Sequence, residues 1–429
     1  MRHMLKTGAA CAALLGLGAG SAWAGDAPDL PAAVVAGKSI FDVRTRYENV
    51  EQTPLKRGEA LTTRIQAGWE SADFHGVKVL LEFAGAFHTD SEHYNVAVPG
   101  GASLNGRTRY PVINDPSFAT LNRAQLSWTP APFFTLTAGR QRVLIDDQRF
   151  IGNVGWRQDE QRFDAVRADF AHGGLKATYL YVFHVDRIFG GRLDWSSDSH
   201  LVNVAYEVAP PLRLEGFTYA LDFSSHDPRA AAAPNASFTA GARASGKAKA
   251  GPLQLAYDAT WARQTEYRGR TTPFRLDFWQ ADLSATYKIL TLKGDYEQLD
   301  GNGVRGFTTP LATTHGFQGW ADAFAASAGN KTHRDGIRDV NVTFVVRPSW
   351  KIPGFAHPEA LVRYFDFQSE RTGAYLGREW DAQLQATIAP KLTLAIKYAG
   401  FERAAQVPRG TSAPPASRTK LWLTLEYKL

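Results

Sequence analysis

Polar and apolar residues alternate along most of the chain, and turn residues separate the alternating runs. Successive side chains of a β-strand point to opposite faces, so each run predicts a strand with one apolar and one polar face. In the run from Leu175 to Val185, every odd-numbered position is apolar or aromatic, while Lys176, Thr178 and His184 occupy even-numbered positions. This repeating pattern predicts an all-β protein.

About eighteen such runs follow one another, an even number like that of single-chain bacterial barrels. The predicted strands are residues 39–49, 60–71, 76–88, 117–129, 133–143, 161–171, 175–187, 198–208, 212–224, 236–250, 252–264, 276–288, 290–300, 335–347, 357–369, 378–389, 391–402 and 417–428.

The connections between these strands alternate in length. Those after even-numbered strands are short, for example Ala131-Pro132, Gly173-Gly174 and Ala389-Pro390. Those after odd-numbered strands are long, for example residues 89–116, 144–160, 301–334 and 403–416. Transmembrane barrels have short periplasmic turns and long extracellular loops, whereas a stack of soluble β-domains gives no reason for the alternation. We therefore expect a transmembrane antiparallel β-barrel of about 18 strands.

The last stretch of the chain fits the closing strand of such a barrel. The side suited to lipid carries Leu421, Leu423, Leu425, Tyr427 and Leu429, and the side suited to water carries Lys420, Trp422, Thr424, Glu426 and Lys428. Closing strands usually end on Phe, and Leu429 departs from that pattern.

The first residues predict a secretory signal peptide. A positive region with Arg2 and Lys6 precedes an apolar run, and Ala22-Trp23-Ala24 has the small residues that a signal peptidase recognises. The apolar run is shorter than the roughly 20 residues of a membrane-spanning helix. The predicted segments are a signal peptide over residues 1–24, a short periplasmic linker over residues 25–38 and an outer-membrane barrel over residues 39–429.

Composition argues against several classes of function. The 48 basic and 42 acidic residues nearly balance, so charge does not indicate nucleic-acid binding. The only cysteine, Cys11, lies in the predicted signal peptide, so we expect neither a disulfide framework nor a lipid anchor. The sequence lacks the signatures of phosphate-binding loops, zinc proteases and serine hydrolases. We therefore expect a protein that is not an enzyme and has no cofactor or metal.

One pair of residues leaves a catalytic role open. His184 and Asp186 lie two positions apart near the extracellular end of a predicted strand, and both are expected to point inward. His/Asp pairs at a barrel rim serve some outer-membrane proteases, but a water-filled lumen equally accounts for two polar residues there. The sequence places no nucleophile or second carboxylate beside them.

The densest charged segment spans residues 139–164. Its arginines are Arg140, Arg142, Arg149, Arg157 and Arg162, and its carboxylates are Asp146, Asp147, Asp159, Glu160 and Asp164. Because the charges nearly cancel, two interpretations are open. The segment is either a salt-bridged loop that supports the wall or an inward loop whose guanidinium groups bind solute carboxylates bidentately.

The same segment, read onward from Gly139, is GRQRVLIDDQRFIGNVGWRQDEQRFDAV, and the residues from Thr309 to Phe324 read TPLATTHGFQGWADAF. A third set comprises Asn114-Asp115, Phe118, Leu121-Asn122 and Leu126-Ser127-Trp128. These stretches resemble the alginate export family of outer-membrane barrels, which has closely similar runs. The resemblance spans almost all of the mature chain. It implies a barrel of about 18 strands that conducts an anionic polysaccharide through an electropositive constriction.

The expected function is passive passage, by export, of an anionic polysaccharide such as alginate or of related anionic solutes across the outer membrane. The alternative is a general or nutrient-uptake porin without a role in polysaccharide export. The expected partners, besides the solute, are outer-membrane lipid, lipopolysaccharide and the barrel assembly machinery, with no nucleic acid, and the barrel is expected to be monomeric. The candidate pore-lining residues that attract anions are Arg140, Arg142, Arg149, Arg157, Arg162, Arg167, Arg44 and Arg46.

Overall fold

The computed structural model describes residues 29–89, 93–98, 101–325, 331–350 and 352–429. The predicted signal peptide lies outside the described residues. A short helix, α1 (Leu30–Val35), lies within the predicted linker. Short 3-10 turns lie in loops at Gly191–Leu193, Pro228–Ala230, Ala233–Asn235 and Thr314–Gly316. None of the helices in these ranges is long and apolar enough to cross a membrane.

Eighteen antiparallel strands form the rest of the described fold. They are β1 (Lys38–Glu51), β2 (Gly58–Glu70), β3 (Val77–His88), β4 (Phe118–Ala131), β5 (Phe134–Gln141), β6 (Arg162–His172), β7 (Leu175–Asp186), β8 (Trp195–Ala209), β9 (Leu212–Leu221, continued by Phe223–Ser224), β10 (Ser237–Ala250), β11 (Leu253–Thr265), β12 (Arg275–Tyr287), β13 (Leu290–Leu299), β14 (Ile337–Val346), β15 (Ala356–Gln368), β16 (Tyr375–Ala389), β17 (Leu392–Arg403) and β18 (Arg418–Lys428). Phe223 and Ser224 are counted with β9 because they pair with β8, as the rest of β9 does.

The sheet closes on itself. Each strand pairs with its neighbours along the chain, and β1 pairs with β18 from Asp42 opposite Lys428 to Glu51 opposite Thr419. Closure leaves no open edge, so the backbone groups of the wall bond to one another, as a strand structure inside lipid requires. The predicted barrel is confirmed, and each strand end lies within three residues of its prediction.

Alternation of the side chains gives the wall an apolar outer face. On β18, Leu421, Leu423 and Leu425 are exposed, while Lys420 and Trp422 are 3% and 0% exposed. Other strands show the same pattern, for example β14 with exposed Val340, Val342 and Phe344, so the outer face is apolar as lipid requires.

Part of the lumen is apolar, which corrects the expectation of a water-filled, polar interior. Leu180 on β7, Phe217 on β9 and Phe278 on β12 are buried, and they pack in one cluster with Ile151 and Leu311. The latter two residues come from loops that fold into the barrel. Because these loops supply apolar partners, the wall side chains here face protein instead of water.

The end of β7 also departs from the predicted alternation. The pairing of β7 with β8 shifts register between Val182 and His184. Val185, which the alternation predicts to face lipid, is fully buried in the same apolar cluster. A one-residue irregularity moves the side chains that follow it to the other face, so simple counting fails beyond such a point.

Candidate pore constriction

Two long loops enter the barrel and meet inside it. The first loop is residues 142–161, and the second loop, between β13 and β14, is described over residues 301–325 and 331–336. Ile151 and Leu311 form a parallel β-bridge, and Gly152 N donates to Leu311 O at 2.8 Å. Val154 N donates to Thr313 Oγ1 at 3.0 Å. The two loops together therefore form one constriction across the lumen.

On one side, arginines of the barrel wall hold the first loop. Arg44 on β1 donates to Gln158 Oε1 at 3.1 Å and to Gly155 O at 3.0 Å. Arg46 donates to Trp156 O at 2.6 Å, and its guanidinium lies 4.0 Å from the centroid of the Trp156 ring. The guanidinium groups of Arg44 and Arg46 therefore bind the loop's backbone, and both residues are buried.

On the far side, the first loop reaches β13. Arg149 donates two hydrogen bonds to the Glu297 carboxylate, one of them at 3.0 Å, and a third to Thr309 Oγ1 at 2.9 Å. Arg149 is only 1% exposed, so this ion pair is buried. It ties both loops to the wall, because Thr309 belongs to the second loop.

The second loop is anchored on Asp322. Its carboxylate lies 3.2 Å from Lys331 Nζ, 3.1 Å from Lys420 Nζ on β18 and 3.2 Å from His315 Nδ1. Burial alone would raise the pKa of Asp322, but the charges of Lys420 and Lys331 and the hydrogen bond from His315 hold it well below the usual value. Asp322 therefore remains ionised between its cations.

Aromatic rings join the two loops. The His315 ring stacks on the Trp156 ring, and the Lys397 ammonium on β17 lies 3.9 Å from the Trp156 centroid and 3.6 Å from the Trp320 centroid. Burial holds the pKa of His315 well below its usual value, with Lys397 adding to the effect of burial and Asp322 opposing it. His315 is therefore neutral, and Lys397 Nζ can donate to its Nε2 across 3.2 Å.

Four arginines on or beside β4, β5 and β6 are less deeply buried, and we call them the arginine column. The side chains of Arg123, Arg140, Arg142 and Arg167 are 17%, 23%, 27% and 25% exposed. In the strand register, Arg140 pairs with Asp164 and Arg167 pairs with Thr137. Arg140 and Thr137 are three residues apart on β5, an odd spacing that regular alternation assigns to opposite faces, and Gly139 between them has a φ of 112°.

Carboxylates orient the members of the arginine column. Arg142 Nε donates to Glu160 Oε2 at 2.7 Å, and Arg123 donates to Glu82 at 2.6 and 3.0 Å. Burial alone would raise the pKa of Glu160, but the hydrogen bonds and charge of Arg142, with amide donors, lower it to about 2. Arg140 binds Asp164 bidentately at 2.7 and 2.9 Å.

The remaining predicted arginines form ion pairs within the protein. Arg162 is 1% exposed and bonds to Asp159 and Asp186. Arg157 lies 3.2 Å from Glu48 and 3.6 Å from Asp322. The segment therefore folds inward, and all five of its guanidinium groups bind the protein's own carboxylates, as a salt-bridged loop does. Binding of solute carboxylates by these groups stays a prediction.

His184 and Asp186 bind different partners. Asp186 accepts hydrogen bonds from Arg140 and Arg162, at 2.7 and 2.6 Å. His184 Nε2 lies 3.6 Å from Asp194. Among the described residues, no group of three or more His, Cys, Asp or Glu side chains is arranged to hold a metal ion.

Sequence reasoning missed the partners of the second loop. Its TPLATTHGFQGWADAF stretch is evident in the sequence, but nothing there indicates that Asp322 meets Lys420 or that Trp320 meets Lys397. The role of Arg123 in the column depends on a cross-strand contact with Glu82, which the sequence does not indicate.

The comparisons with known proteins agree with this architecture. The model of the family described as Alginate export matches residues 41–296. OccAB4 of Acinetobacter baumannii is similar with a TM-score of 0.68 and 13% identity, over 92% of this chain and 98% of that one. OccK8 (OprE) of Pseudomonas aeruginosa is similar with a TM-score of 0.67 and 13% identity, over 92% and 99%. At this identity the similarity shows the fold. No curated protein matches the chain in sequence.

Proposed function

Because the chain belongs to the alginate export family and is an outer-membrane barrel, we propose that it is a channel for passive passage of an anionic polysaccharide such as alginate, or of related anionic solutes. The arginine column is the observation that carries this proposal. A guanidinium group presents paired N–H donors that match the geometry of a uronate carboxylate.

Two members of the arginine column, Arg142 and Arg123, are more exposed than the carboxylates that bind them, whereas Arg140 is about as exposed as Asp164 and Arg167 is less exposed than Asp169. The Arg142 side chain is 27% exposed, whereas the Glu160 side chain that holds it is 2% exposed. The Arg123 side chain is 17% exposed against 1% for Glu82. A solute that reaches Arg142 or Arg123 therefore meets the guanidinium group before its buried carboxylate. The field of such groups is strengthened where loops and wall exclude water.

The buried arginines have a different proposed role. Arg44, Arg46, Arg149 and Arg162 are between 1% and 6% exposed and bind protein groups. We assign them to holding the first loop in place, so that they shape the passage while Arg140, Arg142 and Arg167 contact the solute. Arg157 also helps to hold the first loop in place, because Glu48 and Asp322 surround it.

Block by oligouronates in planar bilayers tests this proposal. Single-channel current is recorded with and without oligouronates for the parent and for Arg140→Gln and Arg142→Gln. We expect block of the parent and a half-blocking concentration at least threefold higher in each variant, since one fixed charge at about 6 Å contributes about 0.7 to 3 kcal/mol. Arg378→Gln is the matched control, because Arg378 pairs with Glu402 on the exposed side of β16. Equal block in all four proteins would contradict the proposal and favour the uptake porin.

A further inference from the structure

Across the lumen from the arginine column, strands β11 to β14 carry a row of carboxylates. Asp258 lies directly opposite Asp282, and Asp282 lies directly opposite Asp295. Their side chains are 13%, 17% and 12% exposed. Like charges in direct cross-strand pairs repel, so the row needs cations to balance it.

Cations of the protein occupy part of this row. Lys293 Nζ lies 3.3 Å from Asp282 and 3.8 Å from Asp295. Arg243 donates to Asp258 at 2.7 Å and lies 3.6 Å from Asp147. The position of Lys293 demonstrates that an ammonium group fits between neighbouring carboxylates here.

The row continues into a second carboxylate pair. Glu297 lies directly opposite Asp339, and Arg149 binds Glu297. The Asn341 amide donates to Asp295 Oδ1 at 2.9 Å and to Asp339 Oδ1 at 3.3 Å, which turns Asp339 towards the row. We call Asp258, Asp282, Asp295, Glu297 and Asp339 the acidic wall.

Asp339 has an unsatisfied oxygen. The residue is 1% exposed, and its Oδ2 has no hydrogen-bond partner within the described part of the chain. A buried carboxylate oxygen without a donor is costly, and an ammonium N–H supplies both a donor and the opposite charge. Five carboxylates against Arg149, Arg243 and Lys293 leave the acidic wall with a formal excess of two negative charges.

We propose that the acidic wall is a binding site for primary ammonium groups, so that the channel also passes amine or polyamine cations along the wall opposite its arginines. Primary ammonium fits better than a metal ion, because the described residues include no group of acidic or His side chains arranged to hold a metal. The inference rests on the proposed function only in that the protein is a channel. It does not depend on which anion uses the arginine column.

The test is block of the single-channel current by spermidine at low salt. We expect spermidine to block the parent, and Asp295→Asn and Asp339→Asn to raise the half-blocking concentration about tenfold, since each removes one charge within a few ångströms of the cation. Lys293→Met removes the competing ammonium group, so we expect it to lower the half-blocking concentration of spermidine. Tetraethylammonium, which has the charge without N–H donors, is expected to block the parent more weakly.

The controls separate this site from the rest of the channel. Glu402→Gln removes a carboxylate that is 66% exposed on the outside and should leave spermidine block unchanged. Oligouronate block should be the same in Asp295→Asn, Asp339→Asn and the parent. Equal spermidine block in the parent and both Asn variants would overturn the inference. Loss of oligouronate block in the Asn variants would also overturn it, because the carboxylates would then support the constriction as a whole.

Discussion

The imidazole of His315 lies flat on the indole of Trp156, with ring centroids 4.0 Å apart and ring planes 6° apart. Trp156 belongs to the first loop and His315 to the second, so this stack joins the two halves of the constriction. Arg46 approaches the same indole from the barrel wall, at 4.0 Å from the ring centroid. The loops are therefore fixed to each other and to the wall at one point.

Removal of the stack should widen the channel. Trp156→Ala deletes contacts with His315, Arg46 and Lys397, and an aromatic pair alone is worth about 0.5 to 1.5 kcal/mol beyond its buried area. We expect higher and noisier single-channel conductance. Trp380→Ala is the control, because Trp380 is 51% exposed and pairs with Tyr364 on the outer face. Parent-like conductance in Trp156→Ala would mean that the stack does not limit the passage.

Asp322→Asn should loosen the second loop. The substitution leaves Lys331 and Lys420, which are 0% and 3% exposed, without their shared carboxylate. Breaking a buried ion pair from one side costs about 3 to 5 kcal/mol. We expect faster limited proteolysis within residues 301–336 in detergent, while the barrel keeps its heat-modifiable migration in SDS gels. Unchanged protection of the loop would show that Asp322 is not its anchor.

The strands of the barrel wall can be predicted from the sequence, whereas the contacts of the constriction cannot. On β16, Trp380 and Leu384 are exposed on the outside, while Glu379 and Asp381 are buried inside. Alternation along the sequence predicts this, because lipid and lumen impose opposite demands on successive residues. Arg149 and Glu297 are 148 residues apart in sequence, and only the folded loop brings them together. The nearly balanced charges of residues 139–164 are equally compatible with a loop that supports the wall and with a loop that binds solute.

Acid should open the constriction at low pH. The pKa of Glu160 lies at about 2 and that of Asp322 well below its usual value, both below those of unfolded carboxyl groups. Because folding lowers these two pKa values, the ionised carboxylates stabilise the loops above about pH 4.5, and this contribution is lost as pH falls towards 2. We expect these two groups to change the conductance below about pH 4. Burial raises the pKa of Asp159 in the first loop to about 7, so a separate change near pH 7 would report that residue. A transition near pH 6 would point to other groups.

The loops after odd-numbered strands should be extracellular. Val304, 83% exposed in the second loop, and Ser349, exposed in the turn between β14 and β15, lie at opposite ends of β14. The barrel has short turns at one end and long loops at the other, and the long ones face outward in outer-membrane barrels. On intact cells, Val304→Cys should react with an impermeant maleimide and Ser349→Cys should not. The opposite labelling would reverse the orientation.

The most direct test of the arginine column is the reversal potential in a salt gradient. The parent should prefer anions, and Arg140→Gln with Arg142→Gln should shift the reversal potential towards cations, because two fixed charges leave the lumen. The shift should shrink as salt approaches 1 M, where the Debye length is about 3 Å. Arg378→Gln should match the parent. A reversal potential that is the same in the parent and the double variant at low salt would contradict the account.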